Sequence, residues 1–558
     1  IFLPMTSIHV FSNQDDAYIV WHYESTIKDC VGFALYRKRK GKKEEVIETW
    51  VGFENEPHKP HEKRPSTQWP IQRFMWTDHL VGKGDDVQYK VVPIIADAKG
   101  KIKTDDSQAT EWSSNTTLVA DKDIEVYFNR GIISSQFVAN EFSFLQKQNK
   151  KMSLKQAIAD TKLPLRKFLG GDLAQKLTEQ LDAIIADKTM ELYACLFEVD
   201  EPKLQEQLIK IGKRAHIILA NGAYDTKSKD ENAAARENLS PHCDISNRMV
   251  SRGLSHNKFM VVTKNKAPLY TWTGSTNWTN NGIYTQVNNG LLVHKKEVAD
   301  YFMAQWKLIK QAGNNYPQTF VKHNSKVQSA DKIRTWFTPT LAQEDMNDAR
   351  KLIADATHGI LFLMFNPGPK NTLFNAIQEK HHKTPGIFVH GILNQDPGSA
   401  KDPVLFLHRG HREYVDVITI LPQNVDDDFG FWQKEINGYL VKIHSKVIVI
   451  DAFTDNPIVI TGSHNLGERA SMDNDENMNI ITGNKKLAEQ YAVNIMSVYD
   501  HYRSRYLRSQ NPGKKVWKGL VKNDSWQSYF QTGGQAAEIK FWLNMKDETA
   551  KPAKGKKK

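Results

Sequence analysis

The chain has 558 residues, 75 lysines and arginines against 64 acids, a formal net charge of +11 and three cysteines. At about 150 residues per domain that length calls for three to four domains, and no apolar run nears the ~20 residues that a bilayer-spanning helix needs. Cys30, Cys195 and Cys243 are scattered, which excludes a disulfide framework and suits a reducing compartment without ruling out export.

The opening Ile1-Phe2-Leu3-Pro4-Met5 is too short for a whole signal peptide, and a first residue other than methionine leaves room for an upstream segment. Short strand candidates follow between polar turns, at residues 18–21, 31–36, 45–47 and 88–93. They predict an all-β sandwich over residues 1–120. The basic run Arg37 to Lys43 falls at the tip of a hairpin. It reads either as solvated surface or as a contact for polyanions, whether nucleic acid or anionic headgroups. The tail, residues 551–558, holds five lysines and no acid and reads as a disordered end.

Past residue 120, helical and apolar strand patterns alternate, which argues for mixed sheets covered by helices. Ile185-Ala186-Asp187-Lys188-Thr189 closes one periodic helix and Ile353-Ala354-Asp355-Ala356-Thr357 another. Each is followed by a strand ending in phenylalanine, at Phe197 and Phe365. His256-Asn257-Lys258 then opens the strand 259–262, and the next strand, 269–272, runs into Gly274-Ser275-Thr276-Asn277. The same order returns 188 residues later. His444-Ser445-Lys446 opens the strand 447–450, and the strand 457–460 runs into Gly462-Ser463-His464-Asn465. Helices marked by Val298, Phe302, Trp306 and Ile309, and by Leu487, Tyr491, Ile495 and Val498, close the two copies.

A lone His-x-Lys is noise among 19 histidines, but two copies with glycine at the same 18-residue offset are not. Side chains at i and i+2 of a strand share a face, so each copy presents an imidazole and an ammonium together, with an asparagine at the next turn. That set suits a phosphoryl group: one base to attack or protonate, a cation and an amide to hold the oxygens.

These residues resemble the phospholipase D superfamily, whose signature is His-x-Lys-x4-Asp followed by Gly-Ser-x-Asn. The second copy matches in full with His444, Lys446, Asp451 and Asn465, and carries the family's later acid as Glu476. The first departs twice, with Thr263 in place of the Asp and Asn288 in place of the Glu. Tyrosyl-DNA phosphodiesterases likewise lack this Asp. The resemblance spans about residues 122–510. It implies an α/β fold of two halves, 121–325 and 326–510, packed about a pseudo-twofold axis with one shared cleft, hence a monomer. Residues 511–558 form an extension whose Trp517, Trp526 and Trp542 read as packing against the body. An early tryptophan strand and a late Tyr-x-Val strand make residues 1–120 similar to a fibronectin type III module.

The resemblance also implies roles. His256, backed by Glu476, is the nucleophile that forms a phosphohistidine, and His444, facing Asn288, is the general acid and base. Lys258, Lys446, Asn277 and Asn465 hold the phosphoryl oxygens, Ser275, Ser463 and Asn288 orient the substrate, and Asp451 supports. No cofactor or metal is required. His242-Cys243 lacks a second ligand pair and reads as ordinary loop.

The cleft walls are expected at 222–255 (Asp225, Lys227, Lys229, Asp230, Glu231) and 394–440 (Phe406, His408, Arg409, His411, Arg412, Phe429, Phe431, Trp432). Aromatics mixed with bases admit a lipid headgroup or stack nucleic acid bases. In the family resembled, two copies in one chain are commoner among phospholipases and phospholipid synthases, so the resemblance favours phospholipid headgroup hydrolysis or transfer, with peripheral contact to anionic membrane. A metal-independent nuclease is the second reading, and a degenerate binding scaffold resting on Thr263 and Asn288 the third. No compartment follows.

Overall fold

The computed structural model describes residues 6–57, 62–131, 145, 152, 154–223, 230–384, 386–394, 417–419, 443–509, 519–531 and 533–545. Most of the second expected cleft wall, part of the first, Trp517 and the lysine tail lie outside the described residues.

The N-terminal region is all β. Strands β1 (Thr6–Ser12), β2 (Ala17–Tyr23), β3 (Cys30–Arg39), β4 (Glu45–Val46), β5 (Glu48–Thr49), β6 (Arg64–Pro65), β7 (Met75–Asp78), β8 (Asp86–Ala96), β9 (Ile102–Thr104) and β10 (Thr116–Thr117) follow in chain order. They build one sheet β1-β2-β7 and a second β10-β8-β3-β4, with β9 on β8. Tyr18, Trp21, Phe33, Val91 and Tyr89 are fully buried. The basic run on β3 is only partly a free cationic face. Arg37 is buried and bonded to Asp78 and Glu45, and Arg39 is bonded to Glu45 and Asp85. Lys38, Lys40, Lys42 and Lys43 stay exposed.

Two larger sheets follow, and they repeat each other. The first takes β11 (Ile124–Phe128), β12 (Met190–Leu196), β13 (Ala215–Ala220), β14 (Asp244–Arg248), β15 (Lys258–Lys264), β16 (Ala267–Gly274) and β17 (Asn289–Val293) in the order β11-β17-β16-β15-β12-β13-β14. The second comprises β18 (Gln328–Ala330), β19 (Ile333–Phe337), β20 (Gly359–Met364), β21 (Phe388–Leu393), β22 (Val417–Thr419), β23 (Val447–Ile450), β24 (Ile458–Gly462) and β25 (Asn477–Thr482). Its order is β18-β19-β25-β24-β23-β20-β21-β22, the same path with β18 added at the edge. Both sheets are mixed: β12-β13-β14 and β20-β21-β22 pair parallel, and the motif strands pair antiparallel.

Alternation along the motif strands decides which helix covers which face. Met260 and Val262 pack with Leu169, Leu173 and Leu177 of the helix Pro164–Ala186. Phe259 and Val261 face Val298 and Phe302 of the helix Lys296–Ala312. In the second sheet Ile448 and Ile450 meet Met346 and Ile353 of the helix Glu344–Ala354, while Val447 and Val449 meet Leu487 and Tyr491 of the helix Lys485–Ser509. Burying one such side chain contributes about 1.5–3 kcal/mol, and strands buried on both faces read as the unbroken apolar runs of the sequence.

The C-terminal segment ties the sandwich to the second sheet. Trp542 packs on Tyr18, Phe11 and Phe453 with centroids 4.3, 4.9 and 4.8 Å apart. Trp526 Nε1 donates to the Cys30 carbonyl at 2.9 Å. Among the described residues no helix is long and apolar enough to cross a membrane.

Candidate active site

Each His-Lys pair lies where an interior motif strand begins, and the two pairs come close to each other between the sheets. His256 and His444 are 3% and 5% exposed, and Lys258 and Lys446 are fully buried. Both lysines are held alike: Lys258 Nζ donates to the His256 carbonyl at 2.6 Å and Lys446 Nζ to the His444 carbonyl at 2.5 Å. Phe197 and Phe365 explain why both preceding strands end in phenylalanine. The Phe197 ring lies 4.6 Å from the His256 ring and 4.5 Å from the Lys258 ammonium. The Phe365 ring lies 5.0 Å from His444 and 4.9 Å from Lys446. Each aromatic ring fixes an imidazole by contact and attracts a cation to its face.

The halves are joined by two backbone bridges that are one bridge repeated. Ser255 pairs with Asp475 and Val287 with Ile443, each residue 188 positions from its counterpart, as the motifs are. His256 N donates to the Asp475 carbonyl and His444 N to the Val287 carbonyl, both at 2.9 Å. The residue after each bridge therefore lands on the other half's histidine. Glu476 Oε2 comes to 3.3 Å from His256 Nδ1, an ion-pair distance without the alignment of a hydrogen bond. Asn288 Oδ1 accepts from His444 Nδ1 at 2.9 Å. That orientation of the amide is fixed, because Asn288 Oδ1 also accepts from Ser275 Oγ and Nδ2 donates to the Gly282 carbonyl. Behind the cleft Thr273 Oγ1 donates to Asn477 Oδ1 at 2.7 Å and Asn289 Nδ2 to Thr461 Oγ1 at 3.2 Å. The same pair of positions, taken from opposite halves, gives the interface its pseudo-twofold symmetry.

The motif glycines have a steric cause. Gly274 and Gly462 sit at φ +139° and +152°, and a Cβ there would meet the carbonyls of Asn289 and Asn477 at 2.4 and 2.3 Å. The adjoining serines finish the same turn. Ser275 Oγ accepts from Asn289 N and Ser463 Oγ from Asn477 N, both at 3.0 Å, and both side chains are fully buried. Ser275 and Ser463, expected to orient the substrate, thus hold the starts of β17 and β25, next to Asn288 and Glu476. Asp451 was expected in a supporting role. It sits at the far end of β23 from His444 and accepts from the backbone N–H groups of Thr357, His358 and Gly359 at 2.7–3.1 Å. It caps the start of β20 and has no place in the cleft. In the first half Asp187 holds Thr189, and Lys264 pairs with Asp187 at 3.2 Å. A different tie there leaves Thr263 free of the task.

A family model described as "Cardiolipin synthase, PLD-like domain" matches residues 185–309 and 350–498, one segment in each half. The chain belongs to the phospholipase D superfamily. No curated protein matches it. Among solved structures it is similar to a polyphosphate kinase from Porphyromonas gingivalis, at 10% identity and TM-score 0.39, over 66% of this chain and 50% of that one. It thus spans half the length of that kinase. A phosphatidylserine synthase of Haemophilus influenzae Rd KW20 is 13% identical over 66% of this chain and 93% of that chain, at TM-score 0.38. The phospholipase D family member Nuc from Salmonella typhimurium is 22% identical over 27% of this chain and 93% of its own, at TM-score 0.21. Scores this low leave the chemistry to be read from this chain's own residues.

The cleft is electrostatically unfinished. Burial and the two lysines hold both histidines well below the usual imidazole range. Burial likewise draws Lys258 down to about 7, against the pull of Glu476 and Glu198, and lowers Lys446 strongly. Glu476 is pushed up to about 7 by burial, against His464 and Lys258. Four basic groups packed together without solvent favour an anion between them. A second carboxylate of the site, Glu198, was not among the expected site residues. It follows Phe197 at the end of β12, and its Oε2 accepts from Asn277 Nδ2 at 2.9 Å. Only its register offered a signal: the counterpart after Phe365 is Asn366. Asn465, the partner of Asn277 in the second half, instead donates its backbone N–H to Glu476 Oε2 at 3.2 Å. Cys243 is buried with Sγ against the Leu208 carbonyl, and among the described residues no group of three His, Cys, Asp or Glu is placed to hold a metal.

Proposed function

We propose that this enzyme hydrolyses or exchanges phospholipid headgroups through a phosphohistidine on His256. The observation that carries the reading is the unequal support of two equivalent histidines. A carboxylate, Glu476, stands at His256, and a neutral amide, Asn288, bonds His444. A carboxylate stabilises the imidazolium that forms as Nε2 bonds phosphorus, whereas an amide fixes the tautomer and leaves the ring free to change charge. The lipid assignment draws on the family model's description as a cardiolipin synthase domain and on two copies in one chain.

The steps balance as follows. His256 Nε2 attacks phosphorus, the P–O bond to the first alcohol breaks, and His444 Nε2–H gives that oxygen its proton. His444 is neutral in the empty cleft, and the entering anion supplies the charge that draws a proton onto it. A water or alcohol then loses its proton to His444, attacks phosphorus and releases His256. Lys258, Lys446, Asn277 and Asn465 hold the equatorial oxygens. We assign residues 1–120 a spacing role and place both motifs of the working enzyme in one chain.

The protein, with EDTA present, is to be offered phosphatidylglycerol, phosphatidylcholine, single-stranded DNA and double-stranded DNA beside a His256→Ala control. Lipid turnover lost in the control supports the reading. Cleavage of DNA alone replaces it with the nuclease, and silence on all four replaces it with a scaffold. A pH profile adds a second check. Glu476 acts ionised and Lys258 acts protonated, and both titrate at about 7. kcat/KM therefore rises with pH as Glu476 loses its proton and falls as Lys258 loses its own, giving a narrow bell around neutrality. Glu476→Gln removes the acid limb; a limb that survives in that variant belongs to another group.

A further inference from the structure

We propose that Glu198 is a charge filter, which makes the cleft favour singly charged phosphodiesters over doubly charged phosphomonoesters. The proposal rests on the reading that the phosphoryl group is held by Lys258 and Asn277. Val199, next to Glu198, bridges to Trp278, next to Asn277, and Trp278 N donates to the Glu198 carbonyl at 3.2 Å. This local pairing brings the Glu198 carboxyl to the amide that should donate to phosphate. Asn277 is 6% exposed, its Nδ2 is committed to Glu198, and its Oδ1 is buried without a hydrogen-bond partner. Of its two Nδ2 hydrogens one is thus given to the carboxylate, so a phosphoryl oxygen must take the other or displace Glu198. The second half has no such competitor in the equivalent place, where Asn366 is neutral.

The sign of the competition depends on charge. The groups facing Glu198 are Lys258 from β15, Asn277 from the turn after β16, and Glu231 from the loop before the helix Ala233–Leu239. Glu231 Oε2 in turn accepts from Ala223 N at 3.0 Å. Burial and Glu231 push Glu198 up to about 7, against Lys258. With Glu198 ionised, the two lysines are balanced by two carboxylates, Glu198 and Glu476, and a second negative charge on the ligand finds no net attraction to offset its desolvation while it lies close to the Glu198 carboxylate. With Glu198 protonated the net charge of the cleft rises by one and the charge-assisted hold of Glu198 on the Asn277 amide weakens. A diester always carries one charge, whereas a monoester gains its second near neutral pH (pKa about 6). The filter therefore loosens the monoester product as it forms and leaves the diester comparatively well held.

The test measures binding of inorganic phosphate and dimethyl phosphate by calorimetry, so it does not depend on turnover. Glu198→Gln is expected to bind phosphate about tenfold tighter than the parent at pH 8, with the gain shrinking toward none at pH 6, and dimethyl phosphate much less altered. Glu231→Gln is expected to do the opposite near pH 7, because removing the like charge keeps Glu198 ionised. Equal phosphate affinity in parent and Glu198→Gln at pH 8, a gain independent of pH, or no phosphate binding by either protein overturns the filter. If these binding differences appear and no phosphodiester is turned over, the filter stands and the proposed reaction falls.

Discussion

With a nitrophenyl phosphodiester, His444→Ala is expected to release one nitrophenolate per chain in a burst and then stall with phosphate on His256. The reasoning follows from the division of labour. Nitrophenolate leaves without a proton, so loss of the general acid does not stop the first displacement. Water attack still needs a base, and removing His444 costs that step about a hundred- to ten-thousand-fold. His256→Ala, in contrast, is expected to lower turnover about ten-thousand-fold or more and to show no burst, because no nucleophile remains. Glu476→Gln should slow the burst itself, since the carboxylate 3.3 Å from His256 Nδ1 balances the imidazolium. An alkaline quench followed by peptide mapping locates the phosphate. Phosphate on His444 would reverse the assignment, and its absence from both histidines would dismiss a covalent route.

Much of this arrangement was legible because strand registers are rigid. Apolar runs after His256 and His444 had to be core strands, and a fixed 18-residue spacing had to bring Gly274 and Gly462 to equivalent turns. The later positions Asn288 and Glu476 were legible through the resemblance, and the bridges Ser255–Asp475 and Val287–Ile443 supply the physical reason they cross to the other half. What failed to show was anything set by contact between distant segments. Asp451 keeps step with His444 in the motif, yet it points its carboxylate at the backbone of Thr357 to Gly359. Nor does a string of letters show that the Ser275 and Ser463 hydroxyls accept from Asn289 N and Asn477 N across the sheet. Arg37 and Arg39 looked like a free basic tip because Asp78 and Asp85 are about 40 residues away in the chain. Glu198 carries no motif at all, and its significance arises only from the pairing of Val199 with Trp278.

The structure that keeps Glu476 against His256 makes a second large prediction, one of stability. Arg248, at the end of β14 in the first half, and Asp475, beside Glu476 in the second, form an ion pair in which both side chains are fully buried. Arg248 Nε donates to Asp475 Oδ2 at 2.9 Å and Nη2 to Oδ1 at 3.3 Å. Nη1 donates to the carbonyls of Gly313 and Asn315, and Tyr316 lies 4.9 Å from the guanidinium. Arg248→Ala strands the carboxylate without its partner, which is expected to cost about 3–5 kcal/mol. Replacing both residues, as in Arg248→Met with Asp475→Leu, should recover most of that loss, since no charge remains buried. The pH dependence has a definite sign. Burial already raises Asp475 above the usual carboxylate range even with Arg248 pulling it down, and Arg248→Ala removes that pull. A carboxyl whose folded pKa is raised is best tolerated when protonated, so its burden is absent below the unfolded value near 3.8 and grows as pH rises through the folded one. Urea unfolding should therefore show a larger deficit for Arg248→Ala at pH 8 than at pH 5. A deficit equal at both would mean that the lost contacts of the guanidinium, to Gly313, Asn315 and Tyr316, outweigh the stranded charge. Activity separates the two roles of the pair. If the bridge at Asp475 alone sets the Glu476–His256 distance, the double variant keeps its acid limb near pH 7. If Arg248 anchors that bridge, the double variant folds well yet loses the limb.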